Sequence, residues 1–483
     1  MIEKYIEKDI LRQVKILEYF YESRELTTRE LSHDLNVSEK TILKDFSKIE
    51  QVLGDTISFE NRSKGKYYFY LLEEKNSIQL AREIYDSSLF LKICCRYLMG
   101  EKDYSVYVEE EFISVSKAFN VRNDVESFLK DMNLIDSNGN KVENELKKRL
   151  VMLSVWMRNS LMGKYINKEY CILAESVATD ILDYSDKKAN SREKDMLTKG
   201  IALILFGSKL DELSKKKLKE TSFGSLLSFG SLLKEVFDLI SNKIAIDEDE
   251  FRYISVLFYL IPTNYTSYSV MNMDLEIQKR IFLQFPEIEY YIYSCESYFG
   301  IRLADNNVFL QTILYFILFS YYNVQSYLVE PHVILNNKQK VLCNSLKQIT
   351  LGWKKNFPLE TNKYRVTNEL LKRMSFDLYF VLQEEARKPI FITVVGRNAI
   401  SHMIFKKYIL DYMPSDKVKI DECLYYSLAD VKIYKRDWKQ IILCEESLII
   451  KSILDNFTAE IISVSRYNLE EARNLLFNKL TNE

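Results

Sequence analysis

Apolar side chains near the start of the chain recur at every third or fourth position. Ile10, Val14, Leu17 and Tyr21 follow this spacing, which is typical of one face of an amphipathic helix. The pattern therefore predicts a helix over residues 8–23 that buries these four side chains.

Capping residues predict two more helices directly after it. Thr27 is followed three positions later by Glu30, and such a pair forms a capping box where a helix begins. Ser38 is placed to cap a third helix that reaches Leu53. Gly54 then ends this helix, because glycine tolerates a positive φ.

A β-hairpin is predicted after the third helix. Residues 56–59 and 67–72 are rich in β-branched and aromatic side chains, and they enclose the basic stretch 61–66. Three short helices followed by a hairpin are typical of a winged helix-turn-helix, whose third helix enters the DNA major groove. The alternative is an ordinary helical hairpin.

Side chains that suit DNA lie on the third helix and at the hairpin tip. Hydroxyls at the helix start suit phosphate, and a lysine one turn further along can reach a base edge. Glu39, Asp45 and Glu50 lie among them, so we expect a modest net charge, strong salt dependence and recognition of DNA shape. The candidate DNA-binding residues are Ser38, Lys40, Thr41, Lys44, Ser47, Lys48, Arg62, Lys64 and Lys66.

A weak internal repeat predicts a second unit of the same kind. Residues 115–121 echo residues 31–37, with apolar side chains at the matching positions. The run Asp136-Ser137-Asn138-Gly139-Asn140 behind them is a strong turn signal. These features predict a second, diverged winged helix, and the alternative is an unrelated helical connector.

Helical patterns fill the middle of the chain, and the texture changes after Pro389. Strand-like runs then alternate with helical ones, which predicts a small α/β domain with a largely parallel sheet. The strands are predicted at 390–395, 418–420, 440–443 and 460–464, and helices at 398–412 and 469–480. The predicted fold is therefore multidomain and mainly α.

Five domains are predicted along the chain. Their limits follow the changes of pattern and the turn-rich segment 262–272. They are a winged helix-turn-helix at 1–72, a second, diverged winged helix at 73–157, helical bundles at 158–270 and 271–388, and an α/β domain at 389–483.

Composition and charge narrow the class of protein. The 483 residues include only 6 Pro and 12 Gly, which favours long helices. The formal net charge is −2, so DNA binding must rest on a local patch. Seven scattered Cys fit a reducing cytosol. The longest apolar run, residues 313–319, is too short to cross a membrane, so we expect a cytoplasmic protein without a membrane partner.

Residues 31–46, which read LSHDLNVSEKTILKDF, resemble the first helix-turn-helix of the Mga/AtxA family of bacterial transcription regulators. The resemblance implies two helical bundles similar to PTS regulation domains (PRDs) and a C-terminal domain similar to the EIIB component of sugar phosphotransferases. It also implies a global regulator of virulence, surface or metabolic genes that is linked to sugar phosphotransferase status. The implied partners are double-stranded DNA, a second copy of the chain and phosphocarrier proteins.

Some members of that family are phosphorylated on histidine in the regulatory bundles. This chain has His33, His332 and His402 and no others, so His332 is the candidate in the second bundle. Pro331 precedes it, and because proline breaks helices we expect an accessible imidazole at the start of an element.

No catalytic, cofactor or metal site is predicted. The loop after the strand at 390–395 reads Gly396-Arg397-Asn398, so an EIIB-like domain would lack its cysteine nucleophile there. Cys423 and Cys444 are expected to be core thiols. Neither a phosphate-binding loop motif nor a zinc-like Cys/His spacing occurs in the sequence. The alternatives to a regulator are a non-DNA signalling scaffold and a phosphotransferase-system enzyme.

The domain at 389–483 is instead predicted to join two copies of the chain. Tyr425, Tyr426 and Tyr434 are candidate interface anchors. Solvent-facing tyrosines without a role are the alternative in a chain with 33 Tyr.

Overall fold

The computed structural model is mainly helical, with a small sheet near each end of the described chain. It describes residues 2–207, 267–386, 390–413, 418–433, 439–449 and 459–481, apart from short gaps at 64, 73–74, 137, 141, 143–144, 185–188, 322–326, 328 and 330, together with residues 250, 253, 254 and 257.

The N-terminal domain is a winged helix-turn-helix. Its strands form an antiparallel sheet in the order β1-β3-β2, and α2 packs against α3. The short first strand was not predicted from the sequence. The elements are α1 (Lys8–Ser23), β1 (Glu25–Thr27), α2 (Thr28–Asp34), α3 (Glu39–Leu53), β2 (Ile57–Ser63) and β3 (Lys66–Leu71).

The predicted caps are confirmed at both helices of the motif. The Thr27 backbone N–H donates to Glu30 Oε2 at 2.9 Å, and the Glu30 N–H donates back to Thr27 Oγ1 at 3.1 Å. Ser38 Oγ accepts from the Thr41 N–H at 3.2 Å. Gly54 ends α3 with φ +57°. These bonds satisfy backbone groups that a helix end leaves free, so the sequence itself sets where each helix begins.

Aromatic rings fill the core of this domain. Phe46 of α3 stacks on Phe59 of β2, with ring centroids 4.5 Å apart, and Phe20 of α1 lies 5.8 Å from Phe46. Phe69 of β3 lies 5.7 Å from Phe59. Because one ring comes from each element, the cluster fixes α3 against both α1 and the hairpin.

In the described residues up to 207, seven α-helices follow the first domain. α5 and α6 pack against α7, and a short hairpin follows in which the Val142 N–H donates to Leu134 O at 2.8 Å. The helices are α4 (Ser77–Tyr85), α5 (Leu89–Leu98), α6 (Tyr104–Glu111), α7 (Val115–Asp131), α8 (Glu145–Arg158), α9 (Lys168–Tyr184) and α10 (Ser191–Gly207).

The register of the predicted internal repeat is wrong. Residues 115–121 lie inside α7 and not at a turn between helices. The tight turn is at Phe112, whose φ of +52° matches that of Asn36 in the first motif. Ser114 then caps α7 as Ser38 caps α3. The repeat therefore aligns Ser114 with Ser38.

Within residues 267–386, the structure describes five more α-helices before the C-terminal domain. The predicted limit between residues 270 and 271 falls within the first of them, and the segment 331–336 leads into the fourth. They are α11 (Tyr268–Phe282), α12 (Pro286–Phe299), α13 (Asn307–Ser320), α14 (Asn337–Asn356) and α15 (Asn368–Ala386).

The C-terminal region is an α/β domain, as predicted. Its four described strands are all parallel, in the order β5-β4-β6-β7. Buried apolar residues lie on both faces of the sheet, which explains the continuous apolar runs in the sequence. The elements are β4 (Ile390–Val395), α16 (Ala399–Tyr408), β5 (Val418–Ile420), β6 (Gln440–Glu445), β7 (Glu460–Val464) and α17 (Leu469–Thr481).

The chain divides into two compact units. One comprises residues 1–298 and 302–378, and the other comprises residues 299–301 and 379–483. The five predicted domain limits stay predictions. None of the helices in the described ranges combines the length and the apolar character needed to cross a bilayer.

Candidate nucleic-acid interface

The exposed face of α3 carries two lysines without a charged partner. Lys40 and Lys44 are exposed one turn apart, and neither forms an ion pair within the described part of the chain. Ser47 is exposed one turn further along the helix. These three predicted residues therefore share a face that is free to meet a polyanion.

The other predicted cations are held by acidic neighbours. Lys48 Nζ lies 3.0 Å from Asp9 Oδ2, and Lys66 Nζ lies 2.9 Å from Glu25 Oε2. Burial raises the pKa of Asp9, but the hydrogen bond and charge of Lys48 more than offset it, so this pKa is lowered. Lys48 and Lys66 must therefore each break an ion pair with a carboxylate before they can contact a DNA phosphate.

Arg62 is held at the hairpin by aromatic rings. Its guanidinium lies 4.1 Å from the ring centroid of Tyr68, donates to the hydroxyl of Tyr70, and has Nε 3.6 Å from Glu60 Oε2. The hydrogen bond that Arg62 donates to the Tyr70 hydroxyl raises the pKa of Arg62. Arg62 is thus fixed in direction but still half-exposed. Lys64, predicted beside it, lies outside the described residues.

Ser38 and Thr41 form the start of α3. The two hydroxyls lie 2.9 Å apart, and Ser38 also accepts the Thr41 backbone N–H. Ser38 is exposed and Thr41 is half-buried. Both hydroxyls therefore already form hydrogen bonds within the cap. A phosphate at this position would contact them together with the free N–H groups of the first turn.

The acidic residues of α3 reduce the positive charge of its exposed face less than the sequence suggested. Asp45 is 1% exposed and faces α1, where Arg12 Nε and Nη2 lie 2.5 and 3.0 Å from its two oxygens. Glu50 accepts the Phe59 N–H at 2.9 Å, and Glu39 accepts from Thr28 Oγ1. The expectation that Asp45 weakens the DNA-facing charge is wrong, because its carboxylate is buried in an ion pair.

The turn before α3 sets the angle of the helix. Asn36 has φ +52°, and the Val37 N–H donates to Ser32 O at 3.0 Å. This six-to-one bond around a left-handed residue is the Schellman arrangement that ends a helix. Asparagine accepts this conformation more readily than most residues. The turn therefore stops α2 and lets α3 project.

Two exposed residues of α2 join this surface but were not predicted. Arg29 and His33 are exposed and have no ion pair in the described part of the chain. Arg29 directly follows the capped start of α2. The capping box at Thr27 places Arg29 in the first turn, so attention to helix starts could have found it.

The second motif, α6–α7, repeats this geometry with different chemistry. Lys117, Asn120 and Asn123 are exposed on α7. Phe112 at the turn is 94% exposed, and Phe119 is also exposed. The surface at the start of α7 therefore combines amide side chains and apolar side chains with Lys117.

The site of His332 differs from the expected one. Its side chain is buried, at 6% exposure, and it lies between Glu18 and Glu3. The expectation of an accessible imidazole is wrong, because the first domain covers it. Phosphorylation of His332 stays a prediction.

The loop after β4 is occupied by a carboxylate of the same domain. Glu445 Oε2 accepts the Arg397 N–H at 2.9 Å, and its Oε1 lies 3.0 Å from Arg397 Nε. Burial raises the pKa of Glu445, but Arg397 and Ser401 more than offset it, so the pKa is lowered. Glu445 therefore takes the place of an anion at the start of α16.

The two cysteines of this domain lie in different environments. Cys444 is buried, and burial raises its pKa to about 12, as expected of a core thiol. Cys423 is exposed, so its prediction as a core thiol is wrong. Across the described residues, no three His, Cys, Asp or Glu side chains gather in a way that could hold a metal ion.

Helix α3 is capped at its start, exposes lysines and lies on a three-stranded sheet, and this combination defines a class of protein. This is the DNA-binding domain of a transcription regulator with a winged helix-turn-helix. Residues 7–64 match the family model described as the M protein trans-acting positive regulator (MGA) HTH domain. The match confirms the resemblance of this segment to the Mga/AtxA family and supports a DNA-binding regulator of the Mga type. No curated protein matches the chain.

Proposed function

We propose that the chain regulates transcription by inserting α3 into the DNA major groove. The unpaired Lys40 and Lys44 carry this proposal, because they are the predicted cations of α3 that can bind phosphate without breaking an ion pair in the described part of the chain. Ser38, Thr41 and Ser47 flank them on the same helix. Arg62 and Lys66 of the hairpin, with Lys64 between them in sequence, contact the neighbouring backbone, as does Lys48 once it leaves Asp9.

Charge reversal on α3 tests the proposal. Lys44→Glu should weaken binding of the full chain to double-stranded DNA by about tenfold or more, because it replaces a phosphate contact by a repulsion. Lys347→Glu is the matched control, since Lys347 is an exposed lysine of α14. Fluorescence anisotropy with labelled DNA measures both. Equal affinities for the two variants would contradict the proposal.

The second motif is proposed as a weaker DNA contact. Its support is the shared turn and cap, with Lys117 and Asn120 standing where Thr41 and Lys44 stand in the first motif. Asparagine can form two hydrogen bonds with adenine, but it brings no charge. The second motif would therefore add sequence preference more than affinity.

Regulation is proposed to depend on sugar phosphotransferase status. A phosphocarrier protein would transfer a phosphoryl group from its own histidine to a ring nitrogen of His332, which would lose its proton. The controlled genes would be virulence, surface or metabolic genes, as in the Mga/AtxA family. Because His332 is buried, Glu3 and Glu18 would first have to move away from it.

Mass spectrometry tests this modification. Full chain incubated with phosphorylated phosphocarrier should gain one phosphoryl group, and His332→Gln should gain none. His402→Gln is the control and should be modified as the original chain is. Equal labelling of His332→Gln would overturn the assignment.

The α/β domain is proposed to join two chains without catalysis. Glu445 occupies the position of an anion at α16, which argues against phosphoryl transfer there. Tyr426 is 48% exposed and remains a candidate anchor, whereas Tyr425 is buried, contrary to the prediction. Tyr434 lies outside the described residues. Two joined DNA-binding domains would make the second DNA contact intramolecular and raise avidity by roughly 10²–10⁴.

Truncation tests the joining role. A chain that ends after Arg387 should sediment as a monomer and bind DNA more weakly, while its helical content per residue is kept. The control is Tyr426→Ala in the full chain, which should weaken the dimer without removing the domain. A truncated chain that remains dimeric and binds DNA normally would refute the proposal.

A further inference from the structure

His332 lies between two carboxylates of the first domain. Its Nδ1 is 2.5 Å from Glu18 Oε2, and its Nε2 is 3.2 Å from Glu3 Oε1. The backbone N–H of His332 also donates to Glu18 Oε2, at 2.9 Å. One residue therefore brings three nitrogens to two carboxyl groups, and ionised carboxylates accept from all three only when both ring nitrogens carry a proton.

The imidazolium form follows from these contacts. Burial lowers the pKa of His332, but the charges and hydrogen bonds of Glu18 and Glu3 more than offset it and raise the pKa to about 9. Burial raises the pKa of Glu3, and His332 more than offsets that and lowers it to about 2. Geometry and electrostatics thus agree on a charged triad.

Other charged and titratable groups surround the triad on each packed element. Lys15 of α1 and Arg158 of α8 lower the pKa of Glu3. Burial is the main cause of the raised pKa values of Tyr19 and of Tyr85 on α4, and the charge of Glu18 adds to both. Burial lowers the pKa of Arg192 on α10, and Glu18 offsets part of this. The nearby cations stabilise the two carboxylates. Loss of the His332 charge therefore leaves these carboxylates with other partners, and the rest of the site keeps its arrangement.

The triad joins parts of the chain that are far apart in sequence. Glu3 and Glu18 belong to the first domain, whereas His332 belongs to the segment 331–336. A second bridge runs close by, because Lys340 Nζ on α14 lies 3.6 Å from Asp34 Oδ1 on α2. Asp34 also accepts the Tyr19 hydroxyl at 3.0 Å. The DNA-binding domain is therefore held at α1 and at α2.

We propose that the triad of His332, Glu18 and Glu3 is a latch that fixes the DNA-binding domain against the helical region and opens when the imidazole loses a proton. A substituent on either ring nitrogen would face a carboxylate, so a phosphoryl group and the closed latch exclude each other. The latch concerns contacts within the chain, and it stands whether or not the proposed DNA contacts are right.

The pH dependence of the latch has a definite sign. The pKa of His332 is raised from 6.5 to about 9, so its contribution to stability is complete below pH 6.5 and is lost as the pH rises through about 9. The pKa of Glu3 is lowered from 4.5 to about 2, so its contribution is complete above pH 4.5 and is lost as the pH falls through about 2. The latch is strongest between pH 4.5 and pH 6.5.

Histidine NMR of the full chain tests the latch directly. The chain has 3 His, so ¹⁵N-histidine labelling gives three sets of ring signals, which His33→Gln and His402→Gln assign. His332 should stay doubly protonated at pH 7.5 and titrate near 9. In Glu18→Gln its pKa should fall toward 6.5. A neutral His332 ring at pH 7.5 in the unsubstituted chain would overturn the proposal.

Hydrogen exchange distinguishes the latch from a purely local packing role of His332. His332→Gln should raise amide exchange at least about tenfold in 331–336 and together with it in α1, whereas His402→Gln should change neither. If the Glu18→Gln chain of the NMR experiment does not fold, the Glu3→Gln chain replaces it, because Glu3 is partly exposed. The pKa of His332 should fall in that chain as well. Exchange that rises in 331–336 alone would mean that His332 does not hold the first domain, and the latch would be wrong.

Discussion

The α2–α3 motif and the α6–α7 motif share a backbone but differ in chemistry. Each has a left-handed residue at the turn, at Asn36 and Phe112, and a serine cap directly before the next helix. On the exposed face, α3 carries two unpaired lysines, whereas the first turns of α7 carry Lys117 with Asn120 and Asn123. The two motifs thus share their geometry but not their charge. Only the first combines the turn and the cap with two unpaired lysines.

The buried faces differ as well. Asp45 of α3 pairs with Arg12 of α1 inside the first domain, whereas Val121 takes the equivalent position in α7 and packs as an apolar side chain. At this position the first motif is therefore held by a directional ion pair, and the second by apolar contact. A two-pronged pair fixes the rotation of a helix more narrowly than apolar contact does.

Loss of the buried ion pair should have the largest effect on stability. Asp45→Ala leaves Arg12 without its partner in a site where both side chains are largely buried, and this should cost about 3–5 kcal/mol. Hydrogen exchange of the α3 amides in the full chain measures the loss.

Val121→Ala is the matched change in the second motif. It removes apolar contact only and should cost about 2 kcal/mol, read from the α7 amides. Similar losses in the two motifs, or no loss in α3, would remove the proposed difference between their buried faces.

The serine caps should have a smaller effect, equal in both motifs. Ser38→Ala and Ser114→Ala each remove the bond to a first-turn N–H, and each should cost about 1 kcal/mol. Exchange of the first-turn amides of α3 and α7 measures this. Ser47→Ala, away from the helix start, should leave these amides unchanged. A cap effect in α3 alone would show that the two starts are not equivalent.

The smallest effect is expected from Lys117, the exposed lysine near the start of α7. Lys117→Ala should lower DNA affinity by about three- to fivefold and reduce the slope of log affinity against log salt by about 1. Anisotropy over a range of salt measures both quantities. A loss larger than that from Lys44→Ala would reverse the proposed ranking of the motifs.

Local sequence signals predicted the first motif and the C-terminal sheet. Thr27, Glu30 and Ser38 act through backbone groups within a few residues, so their sequence spacing specifies the structure. The strand at 390–395 was predictable because a strand buried on both faces is an almost continuous apolar run.

Other features could not be read because they depend on distant residues. The turn at Phe112 lacks the asparagine or glycine that marks such turns, so the repeat was aligned in the wrong register. The burial of Asp45 depends on Arg12, and that of His332 on Glu3 and Glu18. A pairing between residues so far apart in sequence has no local pattern.

The central claim is that unpaired lysines, and not all cations of the first domain, carry the electrostatic part of DNA binding. The direct test is the salt dependence of DNA affinity for two matched double variants of the full chain, Lys40→Ala/Lys44→Ala and Lys48→Ala/Lys66→Ala. The first should lower the affinity by roughly 10–100-fold and the slope by about 2. The second should change both much less, because Lys48 and Lys66 are already paired with Asp9 and Glu25. Equal losses in the two variants would contradict the account.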